Sequence, residues 1–198
     1  MTTIGITGGI GSGKSYVCQA LQQQGYPVYD SDSRAKTIMA QNKTVRAGLI
    51  DLFGETVFHN DLLDRAMIAS IVFTQPELLH RLNALVHPAV IEDARLWVQK
   101  QIGNCCFIES ALLYPGGLDA ICDRIVIVNA PEKTRIERIL RRDFDGVNTE
   151  QNRQHILDRI RAQATYYQPD KPADLILNGD GSIPITERIE QILKLVKL

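Results

Sequence analysis

Gly8, Gly13, Lys14 and Ser15 stand in the spacing G-x-x-x-x-G-K-[ST], inside the stretch GITGGIGSGKS at residues 5–15. Each residue type in that pattern meets a need of a bound polyphosphate. Glycines let successive amide N–H groups turn inward and close on an anion with no Cβ in the way. A helix that starts at the end of the loop adds the positive end of its dipole. Lys14 can then reach the outer phosphates, and the Ser15 hydroxyl can ligate Mg²⁺. The loop therefore predicts a nucleotide site with Gly9, Gly11, Ser12, Gly13, Lys14, Ser15 and Tyr16 around the phosphates of ATP.

Two further groups suit phosphoryl transfer, which needs an acceptor hydroxyl in line with the γ-phosphate and a carboxylate to take its proton. Asp30-Ser31-Asp32 ends an apolar run, YPVY. Asp32 is the expected general base. Asp30 reads either as a metal or base partner or as a helix cap ahead of SRAKTIMA. Seven arginines, Arg135, Arg138, Arg141, Arg142, Arg153, Arg159 and Arg161, fall in one polar stretch, and guanidinium groups can close over transferring charge. Arg138 shares a helix face with Arg141 or Arg142 through i, i+3 and i, i+4 spacing.

These residues need a scaffold that brings strand ends together. TTIGIT, YPVY, NCCFIES (104–110), RIVIVN (124–129) and ADLILN (173–178) are short, continuous and apolar, as parallel strands covered on both faces are. SYVCQALQQQ up to Gly25, 131–142 opened by Pro131, and 182–197 read as helices between or after them. The order predicts an α/β, doubly wound, parallel five-stranded sheet of the P-loop NTPase type, with ligands at the carboxyl ends of its strands. Between the second and third strands lie about 70 residues with no convincing strand. LLDRAMIASIVF, PELLHRLNALV and HPAVIEDARLWVQKQ repeat apolar positions at helical spacing, which predicts an inserted helical lobe. The expected division is a core of 1–31, 102–142 and 171–198, the lobe at about 32–101, and a polar, basic lid at about 143–170 with little core of its own.

Composition bounds the function. In 198 residues, 44% hydrophobic and 23% charged, there is room for one substantial core. A net charge of −1 gives no global attraction to nucleic acid or to an anionic membrane surface. No apolar run approaches membrane-spanning length, and the N-terminus enters a strand directly instead of a cleavable leader. Cys18, Cys105, Cys106 and Cys122 lack C-x-x-C spacing and read as buried, reduced thiols of a cytoplasmic protein. A GTPase switch is disfavoured, because Asn42-Lys43-Thr44-Val45 lacks the aspartate of a base-reading Asn-Lys-x-Asp motif.

An ordered set of motifs resembles the dephospho-coenzyme A kinase family over nearly the whole chain. It comprises TGGIGSGKS, GYPVYDSD, LFGETV with LLDR, VF, LNALVHP at 82–88, RIRAQ at 159–163 and ADLILNGDG at 173–181. The resemblance implies ATP-dependent phosphorylation of the ribose 3′-hydroxyl of dephospho-CoA, the last step of coenzyme A synthesis, with Mg²⁺ as cofactor. It makes the helical lobe a substrate lobe. By the same resemblance Lys14, Asp32 and Arg141 are catalytic, and Arg138, Arg142 and Asn178 join the loop in binding ATP. Asp32, His87, Arg159 and Gln163 contact the substrate.

Two departures from the family pattern stand out. Tyr16 occupies a position that commonly holds threonine, leaving the Ser15 hydroxyl intact. Pro115 follows Leu112-Leu113-Tyr114 where the family often shows a glutamate, so no role of that glutamate carries over, and Glu109 at the strand end is a carboxylate that could bind metal through water instead. The competing readings are another small-metabolite kinase, shikimate kinase in particular, and a nucleotide-binding switch without a small substrate.

Overall fold

The computed structural model describes residues 1–164 and 172–196. It forms two compact units, Met1–Tyr29 with Val98–Leu198, and Asp30–Trp97.

The first unit is built on the expected sheet. Its strands are β1 (Thr2–Thr7), β2 (Val28–Asp30, whose last residue opens the second unit), β5 (Cys105–Glu109), β6 (Arg124–Asn129) and β7 (Leu175–Asn178), in the order β2-β5-β1-β6-β7. β1 runs parallel to both β5 and β6, with Ile6 opposite Glu109 on one side and Val126 on the other. Central β1 is buried from Thr3 onward, which is why TTIGIT carries no polar alternation. Helix α1 (Lys14–Gln23) and helix α8 (Ile185–Leu193) bury Val17, Leu21, Ile189 and Ile192 against Ile4, Phe107, Val126 and Leu177. The last helix is shorter than expected from 182–197, and Lys197 lies outside the described residues.

Helices α6 (Glu132–Asp143) and α7 (Glu150–Ala164) form a second apolar cluster from Ile136, Ile139, Leu140, Ile156 and Ile160, all buried. This corrects the expectation of a basic segment with little core. Ile156 and Ile160 lie at i, i+4 on one face of α7, and two apolar residues there suffice to seat it. Residues 165–170 of the expected lid lie outside the described residues.

The second unit contains α2 (Ser31–Gln41), α3 (Lys43–Phe53), α4 (Arg65–Thr74) and most of α5 (Pro76–Gln99). Asp30, Asn42 and Asp64 cap α2, α3 and α4 by accepting from Ser33 N, Val45 N and Met67 N. One feature departs from the sequence reading. A two-stranded antiparallel ribbon, β3 (Phe58–His59) with β4 (Leu62–Leu63), stands where no strand was expected. Its turn uses Asn60 and Asp61 at φ 49° and 67°, and Arg46 steadies it by lying 4.0 Å over the Phe58 ring and pairing with Asp61. The separate stretches PELLHRLNALV and HPAVIEDARLWVQKQ join in one helix of 24 residues, with Pro88 inside it. Pro88 removes only the hydrogen bond to Ala84, and Leu82, Val86, Val90 and Ala94 keep one buried face continuous across it. Among the described residues no helix is long and apolar enough to cross a membrane. None of the four cysteines is in a disulfide.

Candidate active site

The loop at Gly8–Ser15 connects the buried strand β1 to α1, and backbone crowding explains its glycines. A Cβ at Gly8 would stand 2.3 Å from the Val128 carbonyl oxygen of neighbouring β6, a distance no side chain tolerates. Gly13 takes a left-handed conformation (φ 97°, ψ 10°) at the helix entrance, where no side chain caps α1. The first-turn amides therefore keep their donors for an anion, whereas α2, α3 and α4 spend theirs on Asp or Asn caps.

Lys14 and Ser15, the first two residues of that helix, converge on one oxygen. Lys14 Nζ donates to Glu109 Oε1 at 2.5 Å and Ser15 Oγ donates to the same atom at 2.7 Å. Lys14 and Glu109 are each about nine-tenths buried at the side chain. The parallel pairing of β1 with β5 produces this: both strands end at the same level, so the carboxylate closing β5 lies beside the loop closing β1. Glu109 is thus the strand-end carboxylate that Lys14 and Ser15 share.

Arg138 reaches the loop from α6, donating from Nη1 to the carbonyls of Gly11 at 3.2 Å and Ser12 at 3.1 Å. Arg135, one turn earlier, donates from Nε to Ile10 O at 2.8 Å. The Gln163 side chain from α7 accepts from Ile10 N at 2.5 Å. Among the described residues Ser12 Oγ is buried with no hydrogen-bond partner, and Tyr16 is exposed. The segment after β7 closes on the loop as well. A Cβ on Gly179 would come within 2.1 Å of Ser12 O, so only glycine passes there. Asn178 uses its side chain to build that segment, accepting from Asp180 N and donating to Asp180 Oδ2 and Ser182 Oγ. The Ser182 amide and hydroxyl, followed by Asn178, hold the Asp180 carboxyl below its usual range, with Arg138 adding a smaller pull.

The remaining arginines divide. Arg142 grips Asp143 through Nε at 2.6 Å and Nη2 at 3.1 Å, and Arg159 reaches the same carboxylate at 2.6 Å. The Arg142 hydrogen bond, with Arg159 second, brings the Asp143 pKa down to about 2. Arg141 is exposed at the last turn of α6 and makes no hydrogen bond or ion pair with the described residues.

In the second unit, Asp30 caps α2 twice, accepting from Ser33 N at 3.0 Å and Ser33 Oγ at 2.6 Å. That realises the capping alternative for Asp30. Asp32 follows in the first turn of α2 and is exposed. His87 is half-buried in α5, and burial lowers its pKa from 6.5, keeping the ring neutral at pH near 7.

A family model described as dephospho-CoA kinase matches residues 2–184. A dephospho-CoA kinase of Porphyromonas gingivalis is 43% identical over 164 residues, covering 83% of this chain and 80% of that protein. One from Bacteroides fragilis is 38% identical over 194 residues, covering 98% and 90%. The crystal structure of TT1252 from Thermus thermophilus superposes with a TM-score of 0.79 at 32% identity, covering 100% of this chain and 98% of that one.

Proposed function

The chain belongs to the dephospho-CoA kinase family, and from that premise we propose how its residues carry out the reaction and what cofactor they use. The enzyme phosphorylates dephospho-CoA with ATP, forming coenzyme A and ADP. Shikimate kinase and a non-catalytic switch are not favoured, since neither accounts for relatives of one activity along the whole chain.

The loop amides and Lys14 hold the β- and γ-phosphates of ATP. Asp32 takes the proton of the ribose 3′-hydroxyl as its oxygen bonds to the γ-phosphorus. The bond from that phosphorus to the β–γ bridging oxygen breaks, and ADP leaves with the electron pair. Asp32 is preferred to Asp30 because Asp30 is committed to the α2 cap. Arg138, fixed on the loop by two carbonyls, lies beside the phosphates, and Arg141 supplies a mobile guanidinium for developing charge. Arg142 and Arg159 contribute through the Asp143 network that fastens α7 to α6, from which either can turn toward a phosphate. His87 meets the substrate as a neutral ring, and Asn178 shapes the backbone that receives adenine. The second unit supplies the substrate lobe and α7 with its flanks the lid.

Mg²⁺ suits this donor set. Ser15 Oγ and Glu109 Oε1 are hard oxygens 2.7 Å apart at the loop, and Mg²⁺ commonly binds through one or two such groups together with substrate phosphates. When bound, the ion neutralises charge on the phosphates. Lys14, drawn to the phosphates, then releases Glu109 for that role. We also propose a cytoplasmic location, consistent with thiols kept out of disulfides.

The observation carrying this reading is the convergence of Lys14 and Ser15 on Glu109 at an uncapped helix start. Incubation with Mg·ATP and separate acceptors tests it. ADP release that depends on dephospho-CoA is the expected result; release that depends on shikimate, or nucleotide binding without turnover, overturns it.

A further inference from the structure

Ile10, at the tip of the phosphate loop, is held on three sides by α6 and α7. Its N–H donates to Gln163 Oε1 at 2.5 Å, and its carbonyl accepts from Arg135 Nε at 2.8 Å. Its side chain packs on the cluster of Ile136, Ile139, Leu140, Ile156 and Ile160. The glycines flanking it are fitted to the same arginine. A Cβ on Gly9 would fall 2.5 Å from an Arg135 terminal nitrogen, and a Cβ on Gly11 would fall 2.8 Å from the Arg135 carbonyl oxygen. A peptide N–H can only donate, so it must face the carbonyl end of the Gln163 amide, leaving the Nε2 hydrogens of that side chain for other acceptors.

Both backbone hydrogen-bonding groups of Ile10 are therefore satisfied by side chains from two helices, with no phosphate required. A glycine-rich loop otherwise samples many conformations, and the fraction in the phosphate-binding form divides directly into apparent affinity. We infer that Arg135 and Gln163 are positioning residues that clamp the Ile10 backbone from both sides and hold the phosphate loop in its binding form before nucleotide arrives. Neither side chain needs to touch the reacting atoms to do this. The clamp also makes the seating of α7 and the shape of the loop one cooperative unit, since Gln163 reaches the loop only while Ile156 and Ile160 are packed on α6. Its kinetic consequence rests on the ATP reading of the loop; its structural content does not.

Two readouts test it on the full chain. Hydrogen exchange of the Ile10 amide, followed by NMR without nucleotide, reads the clamp itself. We expect Gln163→Leu to speed exchange at Ile10 at least about tenfold, and Gln163→Glu, which keeps an acceptor, to preserve protection. Steady-state kinetics read its effect. Gln163→Leu and Arg135→Met are expected to raise KM for ATP about fivefold or more while kcat changes less, because the loop is used alike in ground and transition states. Unchanged exchange at Ile10 in Gln163→Leu overturns the clamp, whatever the activity. Faster exchange with an unchanged KM for ATP overturns its role in nucleotide binding. A wild-type chain lacking acceptor-dependent turnover would defeat the functional reading and leave the exchange result standing.

Discussion

Lys14 and Glu109, separated by 95 positions in the sequence, form a buried ion pair of 2.5 Å where the glycine-rich loop enters α1. The pair gives the lysine a partner before substrate arrives, so the site avoids a desolvated, uncompensated cation. On the proposed reading, phosphates would compete for that cation and leave Glu109, beside Ser15, to hold Mg²⁺.

Lys14→Ala is expected to remove most turnover, because the loop keeps its amides but loses the cation nearest the transferring phosphate. It should also lower stability, since among the described residues only Ser15 would then donate to the buried Glu109. Adding Glu109→Gln should restore stability without restoring activity, a non-additivity visible in urea midpoints set beside ADP release. A single variant with wild-type turnover would end the phosphate-loop assignment.

Glu109→Gln alone keeps shape and hydrogen-bonding capacity but loses the charge. The expected result is a loss of about 10- to 100-fold in activity that extra Mg²⁺ partly recovers, the range for a residue supporting a metal. Titrating Mg²⁺ at fixed ATP decides it: an unshifted Mg²⁺ midpoint removes Glu109 from the ion's surroundings.

Asp32→Asn should lower kcat by roughly 10²- to 10⁴-fold with ATP affinity nearly intact, as loss of a positioned base does. Asp30→Asn is the matched control, because asparagine caps a helix as well as aspartate does. Comparable kcat in wild type and Asp30→Asn is expected. The opposite pattern would show the two carboxylates in reversed roles.

The strands and the loop were legible because each is a local signal. RIVIVN is a continuous apolar run, and the structure returns it as β6 at the same residues. The ribbon at Phe58–Leu63 has strands of two residues, too short for alternation to register, although Asn60-Asp61 is a turn pair suited to positive φ. The helically spaced stretches that meet at Val86 and His87 join because Leu82, Val86, Val90 and Ala94 keep one buried face through Pro88. Within the site, Lys14, Ser15 and the glycines follow from spacing, whereas the Gln163 and Arg135 contacts to Ile10 join positions 153 and 125 residues apart. Nothing local to RIRAQ points at the loop; only the packing of α7 on α6 brings it there. Gly179 was noticed only as part of N-G-D-G. Its fit against Ser12 is likewise a property of the fold.

Gly179→Ala is therefore expected to act on the loop from outside it. The added methyl meets Ser12 O at 2.1 Å and Val128 Cγ1 at 2.9 Å, one of them backbone that cannot rotate away. Overpacking of that kind costs about 1–3 kcal/mol and should displace the loop, raising KM for ATP. Thermal unfolding together with the KM measures both, and an alanine variant matching wild type in each would show that the loop has more room than its contacts imply.

Asp143 gives the fold a dependence on acid whose sign follows from its partners. Arg142 first and Arg159 second stabilise the carboxylate, taking its pKa from 3.8 to about 2, so the native state prefers the ionised form more than the unfolded chain does. The resulting stability is complete where both states are ionised, above about pH 4, and is lost as pH falls from there through the native pKa. Because Asp143 is the carboxylate through which Arg159 of α7 and Arg142 at the end of α6 are joined, the loss should fall on the seating of α7. Asp143→Asn removes the charge at every pH. Its urea midpoint should lie below wild type at neutral pH, and the gap should close as the pH approaches about 2, where wild-type Asp143 is itself becoming neutral. A gap of constant size across that range would mean that the network contributes through shape alone and that its charge has no part in holding α7 to α6.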